Sequence, residues 1–322
     1  MDERGTALQD RESSPAAPGL PRSALRRSAE AHHRRRRAAA LGAVALLALI
    51  AGASSGAGGG GAHRAAKAPG GFLARVQALA GSGPGSFAGQ EQAAESAAID
   101  RTLTYTPYVR VAGAQHREIA LTFDDGPGPY TPSILAVLAQ RDVPATFFQV
   151  GVLQKYFHGS TSEIVSRGYP IGDHTQNHAP MSKLANAEQK TQLLQQISAT
   201  GNYGAPFPRM FRPPYGLWNA TTLSILHQYR MLMVLWTIDS EDYRERGVPV
   251  IVNSVLSGAR PGAIVLLHDA GGNRTQTIEA LPEIISGLQA RGYKLVTVPR
   301  LLLDNPPPAD QQIPAGLAGA GG

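Results

Sequence analysis

The residues with the most chemistry to offer are Asp124 and Asp125, two adjacent carboxylates in the run Leu121-Thr-Phe-Asp-Asp-Gly-Pro127. Neighbours on a strand point to opposite faces, so both can serve one site only if the chain bends there, and Gly126 and Pro127 supply the bend. Two carboxylates held close repel and desolvate each other unless a cation or an arginine offsets them. Further along, His174-Thr-Gln-Asn-His178 places two imidazoles four residues apart, which a helical turn or an equivalent loop brings to one face. Joined to Asp125, they make a two-histidine, one-carboxylate site with open positions. That donor set suits hydrolytic zinc, and also cobalt, manganese or non-haem iron. The chain has no cysteine, so a metal would have to sit on nitrogen and oxygen.

The remaining polar residues fit a hydrolytic cycle around such an ion. A metal lowers the pKa of water towards 7 and polarises an acyl oxygen. Asp124 is then the general base. In Phe211-Arg-Pro-Pro-Tyr-Gly216 the prolines fix a loop, Arg212 offsets the charge on Asp124, and the Tyr215 backbone N–H faces a developing oxyanion. His268 ends the apolar run Leu266-Leu267 and is the candidate general acid, with Asp239 expected to hold its other ring nitrogen.

Alternating strands and helices must position these groups. Strands are expected at Glu118 to Asp124, Ala145 to Val150, Tyr169 to His174, Met210 to Arg212, Met231 to Asp239, Ala263 to His268 and Tyr293 to Val298. Helices are expected between them at Pro132 to Gln140, Ala187 to Ile197, Thr221 to Tyr229, Val248 to Leu256 and Ile278 to Ala290. Strands separated by helices of this length pair in parallel through right-handed crossovers. The candidate residues fall at or just past the C-terminal ends of different strands. A closed barrel gathers those ends around one mouth, whereas an open sheet spreads them along an edge. The fold expected is therefore α/β, a (β/α) barrel of about seven strands forming a single domain.

The formal charge of +6 does not mark a nucleic-acid partner. Residues 1 to 67 hold 11 Lys or Arg against 5 Asp or Glu, and residues 68 to 322 hold 19 against 19, so the basicity belongs to the N-terminus. Residues 1–37 read as a basic tail ending in four arginines. Residues 38–62 form an uncharged run whose core, Leu41 to Ile50, is apolar, and the sign of its flank fits an export segment. It is either a cleaved signal, with Ala51-Gly52-Ala53 as the small-residue site, or an uncleaved anchor in the membrane. Residues 63–103 read as a flexible linker with one short helical candidate, Phe72 to Leu79, and residues 304–322 as a disordered tail rich in Pro, Ala and Gly.

Taken together, Thr122-Phe-Asp-Asp-Gly-Pro127, His174-Thr-Gln-Asn-His178, Arg212-Pro-Pro-Tyr215, Asp239-Ser-Glu-Asp242 and Leu266-Leu-His268 resemble the five ordered motifs of the polysaccharide deacetylases. These are the NodB-homology domains of carbohydrate esterase family four. The resemblance covers residues 104–303. It implies a distorted (β/α) barrel that removes N-acetyl groups from an N-acetylhexosamine polymer such as peptidoglycan or a chitin-like glycan, or O-acetyl groups from xylan. By the family's pattern Asp124 is the base, Asp125, His174 and His178 hold a divalent metal, zinc first with cobalt or manganese as alternatives, and His268 is the acid. Arg212 and Asp239 orient base and acid, and Tyr215 gives an oxyanion contact. The fourth motif departs from the pattern, with Tyr243 where the family commonly has Trp, so the sugar groove keeps an aromatic wall of different shape. Of the two tryptophans, Trp218, in a loop, is the candidate for stacking on sugar, and Trp236, inside an apolar strand, reads as core. A non-haem iron oxygenase would use the same three ligands but leaves Asp124, Arg212 and His268 without a role, and a silent glycan-binding domain would not need the complete acid and base set. The expectation is a monomeric, extracytoplasmic hydrolase acting on acetylated polysaccharide.

Overall fold

The stretch Glu118–Asp124 is buried along its whole length because side chains leave it on two faces and both faces are covered. Ile119, Leu121 and Phe123 enter one apolar layer, while Ala120 enters another and Thr122 turns towards Arg212. Residues 87–313 are described by a computed structural model. In chain order the elements are α1 (Phe87–Leu103), β1 (Tyr108–Val109), β2 (Glu118–Asp124), α2 (Thr131–Arg141), β3 (Thr146–Gln149), α3 (Gly151–Tyr156), α4 (His158–Ser166), β4 (Ile171–Asp173) and α5 (Asn186–Gly201). They continue with β5 (Met210–Phe211), α6 (Ala220–Gln228), β6 (Leu232–Val234), β7 (Ile238–Asp239), α7 (Val248–Gly258), β8 (Ile264–His268), α8 (Thr275–Ala290), β9 (Lys294–Val296) and α9 (Val298–Asp304).

The strands pair in parallel in the order β1-β6-β5-β4-β3-β2-β8-β7, with β9 joining the start of β2. The two flanks of this path are one piece of chain. The stretch expected to be a single strand over Met231 to Asp239 is two: β6 pairs with β5 and β1, whereas β7 pairs with β8. Leu235 to Thr237 lie between them, because the segment must serve different neighbours at its two ends. The sheet thereby returns on itself as a distorted (β/α) barrel, the α/β class expected.

Three apolar layers hold it. The first lies between the outer faces of β2, β3 and β8 and helices α2, α7 and α8. The second fills the barrel interior with Ala120, Phe148, Leu232 and Ile264 and reaches Val298, Leu301 and Leu302 of α9 and Ala98 and Ile99 of α1. The third lies between β5, β6 and helices α5 and α6. Burial of this kind stabilises by roughly 25 cal/mol per Å2 of apolar surface. The polar groups at the C-terminal strand ends are left free for other work.

Two expectations about the domain's edges are corrected. Within residues 63–103, the part from Phe87 is helix α1, held by apolar contact with α9 and by Asp100, which bonds Arg209 (2.6 Å) and Arg230 (2.8 Å). Its Gly, Ala, Ser and Gln composition hid a helix whose order comes from the surface it covers. Within residues 304–322, the part to 313 is packed. Asn305 Oδ1 accepts from the His116 N–H (2.6 Å) and its Nδ2 donates to Glu118 (2.9 Å). Gln311 Oε1 accepts from the N–H groups of Arg110 (2.8 Å) and Val111 (3.1 Å). These side chains give the backbone around β1 acceptors it does not find in the sheet. The basic tail, the apolar run, the candidate helix Phe72 to Leu79 and residues 314–322 lie outside the described residues. Among the described residues no helix is long and apolar enough to cross a membrane.

Gln311→Ala removes the acceptor of two backbone N–H groups and should lower the unfolding free energy by about 1–3 kcal/mol, read as a lower urea midpoint with an unchanged slope. An unchanged midpoint would mean that the C-terminal segment is not part of the cooperative unit.

Candidate active site

The loops leaving β2, β4 and β5 each turn a reactive side chain inward with a residue in the left-handed region. These residues are Asp125 (φ 70°), Thr175 and His178 (φ 68° and 56°) and Tyr215 (φ 60°). Such conformations cost of order 1–3 kcal/mol each and persist where the surroundings over-determine them. For His174 to His178 the means is not a helical turn. The segment is an irregular loop pinned to the start of α3, with the Gly151 N–H on Thr175 O (3.0 Å) and the Val152 N–H on Gln176 O (2.9 Å).

Asp125, His174 and His178 converge as their types suggested. Their ligand atoms lie within 4.8 Å of one another, forming a group that could hold a metal ion. Asp125 Oδ1 is 3.0 Å from His178 Nε2 and 3.4 Å from His174 Nε2. His174 Nδ1 donates to the Arg212 carbonyl (2.7 Å), which fixes its tautomer and leaves the Nε2 lone pair directed at the carboxylate. Two acceptors face each other there, and Asp125 Oδ1 is buried without a hydrogen bond. A cation between them removes that conflict, so the residues fit a divalent ion. Burial alone would raise the Asp125 carboxyl, but in the metal-free protein protons on the two imidazoles take the place of that cation and hold it well below the usual carboxylate range. The Nδ1 of His178 is 3.1 Å from the Tyr215 hydroxyl, so Tyr215 meets the site through its side chain as well as through its loop.

Asp124 has a different partner. Arg212, fully buried, donates from NH1 to Asp124 Oδ1 (2.7 Å) and to Thr122 Oγ1 (2.8 Å). Its Nε donates to Val234 O (3.0 Å), its NH2 to Leu235 O (3.2 Å), and its guanidinium lies 4.1 Å from the Phe148 ring centre. The other Asp124 oxygen, Oδ2, stands 3.9 Å from His174 Nε2, beside the trio but outside it.

The carboxylate that meets His268 is Asp242 and not Asp239. His268 Nδ1 donates to Asp242 Oδ1 (2.7 Å), the His268 backbone N–H donates to Asp242 Oδ2 (2.8 Å), and Thr277 Oγ1 donates to the same oxygen (2.9 Å). The left-handed Glu241 turns the chain so that Asp242 points back beneath β8. Asp239 instead accepts from the Glu241 N–H (2.9 Å) and the Tyr243 hydroxyl (3.3 Å) in the wall of the cleft, where burial raises its carboxyl above the usual range. Burial would lower the His268 pKa, but Asp242 outweighs it and pushes it up to about 9. At neutral pH the ring carries the proton a general acid must give.

Asp124, Asp125, His174, His178 and His268 line one cleft of about 690 Å3, together with Tyr215, Trp236, Asp239, Tyr243 and Arg274. That volume is in the range of sites for small ligands. Tyr243 is exposed and edge-on to His268, with ring centres 5.4 Å apart. The expectation for the tryptophans holds only in part. Trp218 and Trp236 both pack on the layer under α5 and α6, but Trp236 also lines the cleft, where the break between β6 and β7 frees it from the sheet, and Trp218 is not among the residues lining it.

A family model described as polysaccharide deacetylase matches residues 112–234. A chitooligosaccharide deacetylase of Bradyrhizobium sp. (strain ANU 289) is 37% identical over 199 residues, covering 58% of this chain and 90% of its own length. A peptidoglycan-N-acetylglucosamine deacetylase of Bacillus cereus is 37% identical over 187 residues, 57% of this chain and 87% of its own. Among solved structures, a peptidoglycan N-acetylglucosamine deacetylase in complex with 4-naphthalen-1-yl-N-oxidanyl-benzamide superposes with a TM-score of 0.60 at 31% identity, over 62% of this chain and 94% of its own.

Replacing Asp242 with Asn should bring the His268 ring from a pKa of about 9 down towards the ordinary histidine value of about 6.5, followed by NMR titration of its ring protons in metal-free protein. The same titration of Asp239→Asn should move the ring far less. Equal shifts would return Asp239 to the role expected for it.

Proposed function

Because this chain belongs to the polysaccharide deacetylase family, a family of hydrolases, we propose that it removes N-acetyl groups from an N-acetylglucosamine-containing polysaccharide, peptidoglycan or a chitin-like glycan. One observation carries the reading. A trio fit for a metal, a carboxylate backed by a guanidinium and an imidazole backed by a carboxylate all face the same cleft. Asp125, His174 and His178 would hold the divalent ion, with zinc the first choice for a site of two imidazoles and a carboxylate and cobalt or manganese as alternatives. When bound, such an ion acidifies water and polarises a carbonyl.

The chain's own groups do the rest. Asp124 takes a proton from the attacking water, and Arg212 keeps that carboxylate aimed. The C–O bond forms as the Tyr215 loop faces the carbonyl oxygen. His268, protonated through Asp242, gives its proton to the nitrogen as the C–N bond breaks, so that acetate leaves and the sugar keeps a free amine. Tyr243 and Trp236 offer aromatic faces on which a pyranose ring can stack. The substrate lies outside the cytoplasmic membrane in this reading. The basic stretch before the uncharged run over residues 38–62 supports export, as an anchor or a cleaved signal.

Purified protein supplied in turn with zinc, cobalt or manganese should release acetate from chitin oligomers or peptidoglycan, with one new amine per acetate and no dependence on oxygen. Release from acetylated xylan alone would make it an O-acetyl esterase. No release from any of the three would leave a glycan-binding domain.

A further inference from the structure

The turn that carries Asp125 is packed against a second loop, residues 269–274 between β8 and α8. Asp269 continues the β2 and β8 ladder, its N–H donating to Asp124 O (3.1 Å), and its side chain is fully buried. Oδ2 of Asp269 accepts from Thr131 Oγ1 (2.6 Å), and the same hydroxyl oxygen accepts from the Gly128 N–H (2.7 Å). Carboxyl, hydroxyl and turn backbone thus form one relay. A Cβ added at Gly126 would lie 2.2 and 2.3 Å from the two Asp269 oxygens, so the carboxyl fills the space that this glycine leaves. Two residues further on, a Cβ at Gly271 would lie 2.1 Å from Asp125 Oδ2, which places the loop backbone against the ligand carboxylate itself.

Arg274, almost wholly buried, fixes the loop's shape from behind. Its Nε donates to Ala270 O (2.7 Å), its NH2 to Gly271 O (3.1 Å) and its NH1 to Asn273 O (3.1 Å). Asp269 Oδ1 has no hydrogen-bond partner among the described residues. Leaving a buried polar atom unpaired costs free energy, and a core with no further task for this position would be better served by an apolar side chain.

We propose that the 269–274 loop is a brace that sets where the Asp125 carboxylate stands, with Asp269 as its positioning residue acting through Gly126 and Thr131. Without the brace, the left-handed turn at Asp125 relaxes and the carboxylate drifts from the two imidazoles. The inference rests on the reading of Asp125 as a metal ligand for its consequence, but not for its geometry.

Two measurements separate these. Metal-free parent, Asp269→Asn, Asp269→Ala and Gly271→Ala are titrated with zinc in competition with a chromogenic chelator, and the parent and Asp269→Ala are crystallised without metal. Asp269→Ala and Gly271→Ala should bind zinc about 10–100-fold more weakly than the parent, the usual size of effect for groups that orient a ligand. Asp269→Asn keeps the shape and an acceptor for Thr131, and should stay within about threefold of the parent on the same scale. In the crystals the distance from Asp125 Oδ1 to His178 Nε2, 3.0 Å in the parent, should widen beyond hydrogen-bonding reach in Asp269→Ala. An unchanged distance, or zinc binding by Gly271→Ala equal to the parent's, overturns the brace. A parent that binds no zinc overturns the metal reading of the trio instead, and the crystallographic distance still decides the brace.

Discussion

Arg212 is the residue on which the site depends. Burying a guanidinium costs several kcal/mol of lost hydration, and the cost is offset here by four polar partners and an aromatic face. Its side chain engages Asp124, and its main chain reaches the other half of the site. The Arg212 N–H bonds Asp173 O (2.9 Å), pinning β5 to β4, and the Arg212 carbonyl takes the Nδ1 proton of His174. One residue therefore holds the proposed base and fixes the tautomer of a proposed metal ligand. It also divides the two adjacent carboxylates: Asp124 is drawn to the guanidinium, and Asp125 is left to the imidazoles.

The same logic runs on the acid side with the signs exchanged. A cation backs the carboxylate proposed to accept a proton, and a carboxylate backs the imidazole proposed to give one. Pairing titratable groups with opposite partners in a shared cleft is how one pocket supports acid and base at the same pH. The barrel's part is to bring these pairs to one mouth from β2, β4, β5 and β8, none of which could supply the set alone.

Much of this was legible in the residues. The alternation over Ile119 to Phe123 fixes β2 to the residue, and polar groups after apolar runs mark the mouth of the barrel. What escaped did so for physical reasons. Asp239 and Asp242 are equally acidic in sequence, and only the left-handed turn at Glu241 decides which reaches His268. Trp236 reads as core because Met231 to Asp239 is apolar, yet the stretch breaks where it passes from one set of neighbours to another. Helix α1 and the segment to residue 313 carry weak local signals, since their order comes from ion pairs and hydrogen bonds to residues far away in the chain. Local pattern predicts elements that can form by themselves, and these are made by what they touch.

The division between the two carboxylates is tested most directly by zinc titration of metal-free Asp124→Asn and Asp125→Asn side by side, with acetate release measured on the same samples. The account predicts that Asp124→Asn binds zinc as the parent does and releases no acetate, while Asp125→Asn loses the zinc. If both variants lose zinc to the same extent, the two carboxylates are a matched pair of ligands and the role given to Arg212 is wrong.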